Sequence, residues 1–346
     1  MPDPTHPVVL AEVVRSGFVE GVHRGSLVVL DPDGSVSLAR GDVGSPVFPR
    51  SSNKLMQAVG MVELGYAGQG ELLALAAASH WGEPHHVDGV RRILEGCGLD
   101  VDSLRTPAEW PRGEQAFLDV VRAGGEPSPV LMNCSGKHAA MIATCVVQGW
   151  SLDDYRAADH PLQQHLAGTI ERMSGERIAA VGIDGCGTPV SAISLTGLAR
   201  AFSTAVQAHP APPGGTPGGT PGDPESSAAL PGGTDVDPER VVADAMRAHP
   251  EYVGGTGHDV TRLMAGVPGL LVKDGAEGVY AAALPDGRAF ALKVDDGAAR
   301  PRPLLAAAIL RHLGVDADVL ADFEVQPLLG GGHQVGEIQV PATLLP

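Results

Sequence analysis

The sequence predicts a mixed α/β (α+β) fold, with an antiparallel sheet built from the N- and C-terminal segments and a helical region between them. Three observations carry this. Residues 8–40 hold β-branched runs broken by turn signals. From about 51 to 266 the apolar residues recur mostly at helical spacing. Strand signals return from about 268 to 340. At 346 residues the chain can bury a full core, and we read 1–346 as a single domain.

The elements follow in order. Val8–Val14, Val19–Val22 and Leu27–Leu30 read as strands, and Asp31-Pro32-Asp33-Gly34 is a turn leading into Ser35–Leu38. After Ser51, Leu55, Val59 and Val62 fall on one helical face. Further helices are expected over Glu71–Ala78, His85–Leu94 and Lys137–Val147. Another opens at Asp159-His160-Pro161 and runs to about Met173. Arg177–Val181 reads as a short strand and Val190–Val206 as a helix. Residues 209–237 contain Pro210-Ala211-Pro212-Pro213 and Gly-Gly-Thr-Pro repeats with almost no large apolar residue, which marks a flexible surface insertion between two helices. Pattern resumes with a helix over Pro238–Ala248. Strands follow at Gly269–Val272, Gly278–Leu284 and Ala289–Val294, then a helix over Pro303–Leu313 and a last strand over Val335–Val340.

Hydrophobic residues make up 43% and aromatics 4%, so the core is expected to be Ala, Val and Leu. The net charge of −17 argues against nucleic acid and anionic membrane surfaces, both of which need clustered Lys and Arg. No apolar run approaches the ~20 residues of a spanning helix, and the N-terminus lacks a basic region followed by an apolar one. A cytoplasmic location is the expectation. There the four cysteines, Cys97, Cys134, Cys145 and Cys186, are free thiols, core residues or metal ligands.

Four clusters carry chemistry. Ser51-Ser52-Asn53-Lys54 places a hydroxyl and an amine three residues apart, one helical turn. A serine becomes a nucleophile when a base takes its proton, and a lysine kept neutral can be that base. Ser-x-x-Lys serves in this way in serine–lysine hydrolases, with a Lys-Thr-Gly element on a late strand; here that element is Lys273-Asp274-Gly275. Asn133-Cys134-Ser135-Gly136-Lys137-His138 sits at a helix start, and Asp184-Gly185-Cys186-Gly187-Thr188 follows a strand. Two Cys turns flanked by His and Asp read either as half-sites for a soft divalent metal or as buried thiols in tight turns. Ser79-His80-Trp81-Gly82-Glu83-Pro84 reads either as a polar helix terminus or as a site whose histidine tunes proton transfer.

Together Ser51-Ser52-Asn53-Lys54 with Gln57, Ser79-His80-x-Gly82-Glu83-Pro84, Asn133 to His138, Asp159-His160-Pro161, Ile183 to Cys186 and Val272 to Tyr280 resemble the signatures of the rhizobial-type (type II, class 3) L-asparaginases. The resemblance runs from about residue 8 to 340. It implies a fold similar to serine β-lactamases and penicillin-binding proteins, and a homodimer. It implies two catalytic pairs, Ser51 with Lys54 and Ser79 with Lys273. It implies a zinc site of Cys134, Lys137 and Cys186, with His138 and Asp184 nearby and His80 and Glu83 supporting the substrate. Asp274 departs from the family's usual Thr, and no Cys stands in Gly257–Thr261 where some members carry one. The implied activity is hydrolysis of L-asparagine to L-aspartate and ammonia through a Ser–Lys acyl-enzyme. The alternatives are a glutaminase or a β-lactam/D,D-peptidase-like hydrolase on the same machinery, or a non-catalytic zinc-stabilised binding protein.

Overall fold

The computed structural model describes residues 6–208 and 237–346. The insertion read over 209–237 thus lies outside the described residues, apart from Asp237. Eleven strands and twelve α-helices occur among the described residues. The first strands are β1 (Val8–Arg15), β2 (Phe18–Leu30), β3 (Val36–Arg40) and β4 (Pro46–Val47). β5 (Ala180–Ile183) and β6 (Pro189–Ser194) lie mid-chain. β7 (Leu271–Gly275), β8 (Val279–Ala283), β9 (Ala289–Val294), β10 (Gln326–Gly330) and β11 (His333–Gln339) close the list. The large antiparallel sheet has the order β10-β11-β1-β2-β9-β8-β7, with β3 paired to β2; a small sheet has the order β4-β6-β5. The two ends of the chain meet in the large sheet, where β1 pairs with β11 and β2 with β9.

The helices are α1 (Lys54–Glu63), α2 (Glu71–Ala76), α3 (Pro84–Glu95), α4 (Glu114–Arg122), α5 (Ser135–Gln148), α6 (Pro161–Ser174) and α7 (Leu195–Gln207), then α8 (Pro238–Ala248), α9 (Pro250–Val253), α10 (Asp259–Gly266), α11 (Arg302–His312) and α12 (Ala317–Glu324). Both α7 and α11 pack on β8, whose five residues are all buried. A strand covered on both faces reads as a continuous apolar run, as Val279-Tyr280-Ala281-Ala282-Ala283 does. The first eight residues of α1 are buried, among α5, α6 and α8. The core is built largely of Ala, Val and Leu.

Several elements differ from the sequence reading. Val19–Val22 and Leu27–Leu30 are one strand, β2, because the residues between them pair with both neighbours: Gly25 faces Val8 in β1 and Val294 in β9. Gly25 marks a close approach rather than a break, since a Cβ there would lie 2.0 Å from the Lys293 carbonyl oxygen. The helix expected over Val190–Val206 splits at Ser194. Its first part pairs as β6, and the Ser194 hydroxyl accepts from the Gly197 amide at 2.9 Å to cap α7. The α6 start agrees with the sequence reading: His160 caps it through its ring nitrogen, with Pro161 in the first turn. The sequence reading missed α4, which buries only Ala116. Among the described residues no helix is long and apolar enough to cross a membrane.

Candidate active site

The four clusters meet where the 3-10 turn Arg50–Asn53 packs against β7. Ser51 lies in that turn. Ser79 follows α2, Cys134 precedes α5, Cys186 sits in the turn between β5 and β6, and Lys273 lies in β7. A cavity of about 220 Å³ is lined by Ser51, Ser79, Cys134, Asp184, Cys186 and Asp274, together with three arginines, Arg50, Arg112 and Arg302. Arg50 is held in the left-handed region at φ +52°, a strained state for a residue with a Cβ. Its guanidinium reaches Asp184 Oδ1 at 2.8 and 2.9 Å, which ties the Ser51 turn to the Cys186 turn. Gly275 permits the other contact, since a Cβ there would lie 2.3 Å from the Pro49 carbonyl oxygen.

The serine–lysine partners differ from the sequence reading. Lys54 Nζ donates to the Ala78 carbonyl at 2.6 Å, to Ser79 Oγ at 3.0 Å and to Cys134 Sγ at 3.0 Å. Lys54 starts a buried helix and its side chain turns inward to the end of α2, so its hydroxyl partner is Ser79. Ser51 makes no side-chain hydrogen bond among the described residues and lines the cavity. Lys273 is fully buried and donates to Asp274 Oδ1 at 2.5 Å and to the Asp274 carbonyl at 3.0 Å, not to Ser79. Burial pushes the Lys273 amine below its ordinary pKa; Asp274 opposes that shift, while Lys54 and Arg302 add to it. Burial alone would raise the Asp274 carboxyl, but Lys273, His258 and Arg302 hold it well below the usual carboxylate range.

Cys134 and Cys186 pack together against Met132. Contact with Cys186, followed by burial, pushes the Cys134 thiol well up. Cys134, with Lys137 and His138, holds Cys186 below the ordinary thiol range against burial. Lys137 Nζ lies 3.3 Å from Cys186 Sγ and 2.8 Å from Thr188 Oγ1. Burial disfavours the Lys137 charge, yet Cys186, Cys134 and Asp184 outweigh it and raise the amine's pKa. His138 Nδ1 meets the Tyr155 hydroxyl at 2.6 Å, while its Nε2 is buried without a hydrogen-bond partner among the described residues.

His80 and Glu83 do not line the cavity. The Gly82 amide donates to His80 Nδ1 at 3.1 Å, which assigns the proton to Nε2. Nε2 then donates to Ser135 Oγ at 2.9 Å, and Ser135 donates to the Val130 carbonyl. His80 therefore braces the start of α5. Burial first, then His86 and Lys54, keeps it neutral. Glu83 accepts from the Thr256 amide and hydroxyl at 2.9 and 2.8 Å. Glu83, His85 and His86 are the one His, Cys and carboxylate group at metal-binding spacing among the described residues. His86 is committed there, accepting from the Glu83 amide and bonding the Glu251 carbonyl.

Arg302 was missed from sequence. It lines the cavity at the start of α11, donates to the Gly275 and Val279 carbonyls at 2.5 and 3.3 Å, and lies 3.7 Å from Asp274. A cation in a helix's first turn opposes the helix dipole, which is the one sequence signal that marks it. Arg50 carried no such signal, because its role follows from its backbone conformation.

The chain is similar in fold to several solved structures. A β-lactamase from Mycobacterium bovis shares 13% identity at a TM-score of 0.42, over 84% of this chain and 95% of that one. A Bacillus glutaminase shares 12% at 0.42, over 84% and 89%. A putative β-lactamase from Bacteroides dorei shares 15% at 0.43, over 83% and 92%. No substrate or activity carries across at this distance. No curated protein sequence matches the chain significantly. Residues 11–340 match L-asparaginase II, and the chain belongs to that family.

Proposed function

We propose that the protein hydrolyses L-asparagine to L-aspartate and ammonia through an acyl-enzyme on Ser51. The observation that supports this reading is the convergence of two serine hydroxyls, from separate chain segments, on one cavity with charges of both signs, with the buried Lys54 bonded to one of them behind its wall. Ser51 Oγ attacks the side-chain amide carbon. Its proton passes to the Lys54 amine by way of Ser79, the hydroxyl already bonded to Lys54. Backbone N–H groups beside the Ser51 turn stabilise the oxyanion. Collapse expels ammonia with the proton returned from Lys54. Water then attacks the β-aspartyl ester by the same proton route and frees L-aspartate. Lys273 and Arg302 supply positive charge against the cavity wall.

We also propose that zinc binds Cys134, Cys186 and Lys137. The donor set fits: two sulfurs converge, an amine touches one of them, and the unpartnered His138 Nε2 is buried nearby. Lysine ligates only as the free amine, so uptake requires Lys137 to lose the proton that Cys186 now favours. Bound zinc would supply a fixed positive charge for orienting the substrate.

Two experiments test these readings. Purified protein should release ammonia from L-asparagine far faster than from L-glutamine, because one more methylene moves the amide off a fixed nucleophile. Equal rates would make it a general amidase. Elemental analysis should find about one zinc per chain, reduced by Cys134→Ser or Cys186→Ser. Wild-type protein that stays metal-free after incubation with zinc leaves the two cysteines as buried thiols.

A further inference from the structure

The cavity holds two Arg–Asp pairs that differ in one respect. Arg50 and Asp184 are closed on each other at 2.8 Å. Arg302 and Asp274 are open: Nη2 and Oδ2 stand 3.7 Å apart, beyond hydrogen-bond length. The rest of each side chain is fixed. Arg302 Nη1 and Nε are tied to the carbonyls of Gly275, Val279 and Ala299, and its ring-facing plane lies over Tyr280 at 5.9 Å. Asp274 Oδ1 is held by Lys273. Among the described residues neither Nη2 nor Oδ2 makes a hydrogen bond, and both residues line the cavity. A pre-positioned donor and a pre-positioned acceptor thus face the substrate space side by side, each with unused capacity.

We propose that Arg302 and Asp274 form the clamp for the substrate's amino-acid head group: Arg302 Nη2 takes the α-carboxylate and Asp274 Oδ2 takes the α-ammonium. This rests on the amino-acid amidase reading above and extends it to how the head group is read. The ammonium and carboxylate of an α-amino acid sit on one carbon, at a spacing that matches the open pair, so one zwitterion satisfies both atoms with charge-assisted hydrogen bonds.

The test uses three amides: L-asparagine, succinamate, which lacks the α-ammonium, and β-alaninamide, which lacks the α-carboxylate. Asp274→Asn should raise KM for L-asparagine about 10- to 100-fold, while kcat/KM for succinamate falls at least tenfold less. Arg302→Lys should show the same asymmetry with β-alaninamide. A purely structural role, or an effect passed through Lys273, would lower asparagine and the matching analogue by the same factor, and that result overturns the clamp. Binding of L-aspartate, followed by titration calorimetry, separates the clamp from the reaction. Wild-type protein that binds L-aspartate, with both variants weakened, upholds the clamp even where no ammonia is released from asparagine. Wild-type protein that hydrolyses asparagine while both variants bind L-aspartate as tightly as it does overturns the clamp alone.

Discussion

Lys54 Nζ is bonded to three partners: a carbonyl, a hydroxyl and a sulfur. Ser51, by contrast, has its hydroxyl turned to the cavity, beside a backbone strained at Arg50. This separates the attacking atom from the atom bonded to the base. Ser51→Ala should lower kcat by about 10³-fold or more, because it removes the nucleophile. Ser79→Ala and Lys54→Ala should approach the same loss, since members of one proton-transfer unit are not additive. Lys54→Ala should also destabilise the fold by about 1–3 kcal/mol, by leaving the buried Ala78 carbonyl unpaired. An electrophilic asparagine analogue, followed by peptide mapping, should label Ser51. Labelling of Ser79 would make it the nucleophile, paired directly with Lys54.

At the scale of elements, α3 shows how a helix terminus makes stability depend on pH. Its capping box uses His86 where Glu or Gln is usual: Glu83 caps the first turn, and His86 Nδ1 accepts from the Glu83 amide at 3.1 Å. That acceptor must be unprotonated. Burial, with help from His85, lowers the His86 pKa to about 4, against opposing pulls from Glu251 and Glu83. An unfolded histidine titrates near ~6.5, so below that pH the unfolded chain binds the proton first. Stability should hold above ~6.5 and fall as pH drops towards 4, by up to about 3 kcal/mol. Thermal melts at pH 7.5 and 5 should show a smaller acid loss for His86→Gln, while His80, stacked on His86 at 5.0 Å, keeps its own share. Identical pH dependence in the two proteins would refute the assignment. Elements such as this also show what the sequence could carry. Ser51, Lys54, Ser79, Cys134, Lys137 and Cys186 stood out as candidates because each sits in a short polar cluster at the edge of an apolar pattern, and the fold brings them together. Which lysine meets which serine was not legible, because Lys54 and Ser79 come together only when α1 packs beside the end of α2. The β6–α7 boundary was hidden for a related reason: Val190 to Val206 is apolar at both strand and helix spacing, and only pairing with β5 decides its first part.

Taken as a molecule, the protein places its cavity on the seam between the terminal sheet and the helical region. The 3-10 turn and α1 bring Ser51 and Lys54, α2 and α5 bring Ser79 and Cys134, the β5–β6 turn brings Cys186, and β7 brings Lys273 and Asp274 from the far end of the chain. Relative placement therefore depends on how closely β7 docks on the Ser51 turn. Gly275 sets that distance, since an added Cβ would meet the Pro49 oxygen at 2.3 Å, Ser52 Oγ at 3.0 Å and Val279 Cβ at 3.1 Å. The first of these is backbone and cannot swing aside, so one side of the seam must move. Gly275→Ala should lower stability by about 1–3 kcal/mol through overpacking. It should also lower kcat by about 10²-fold, because a shift of about 1 Å spoils the geometry of attack. Gly21→Ala, in β2 with nothing within 4 Å of the new atom, is the control and should change neither. Activity is compared per folded molecule, with the folded fraction taken from denaturant curves. A Gly275→Ala protein that loses stability but keeps full kcat would mean that the Ser51 turn and β7 can separate without disturbing the chemistry, and the seam would then be a structural joint outside the reaction.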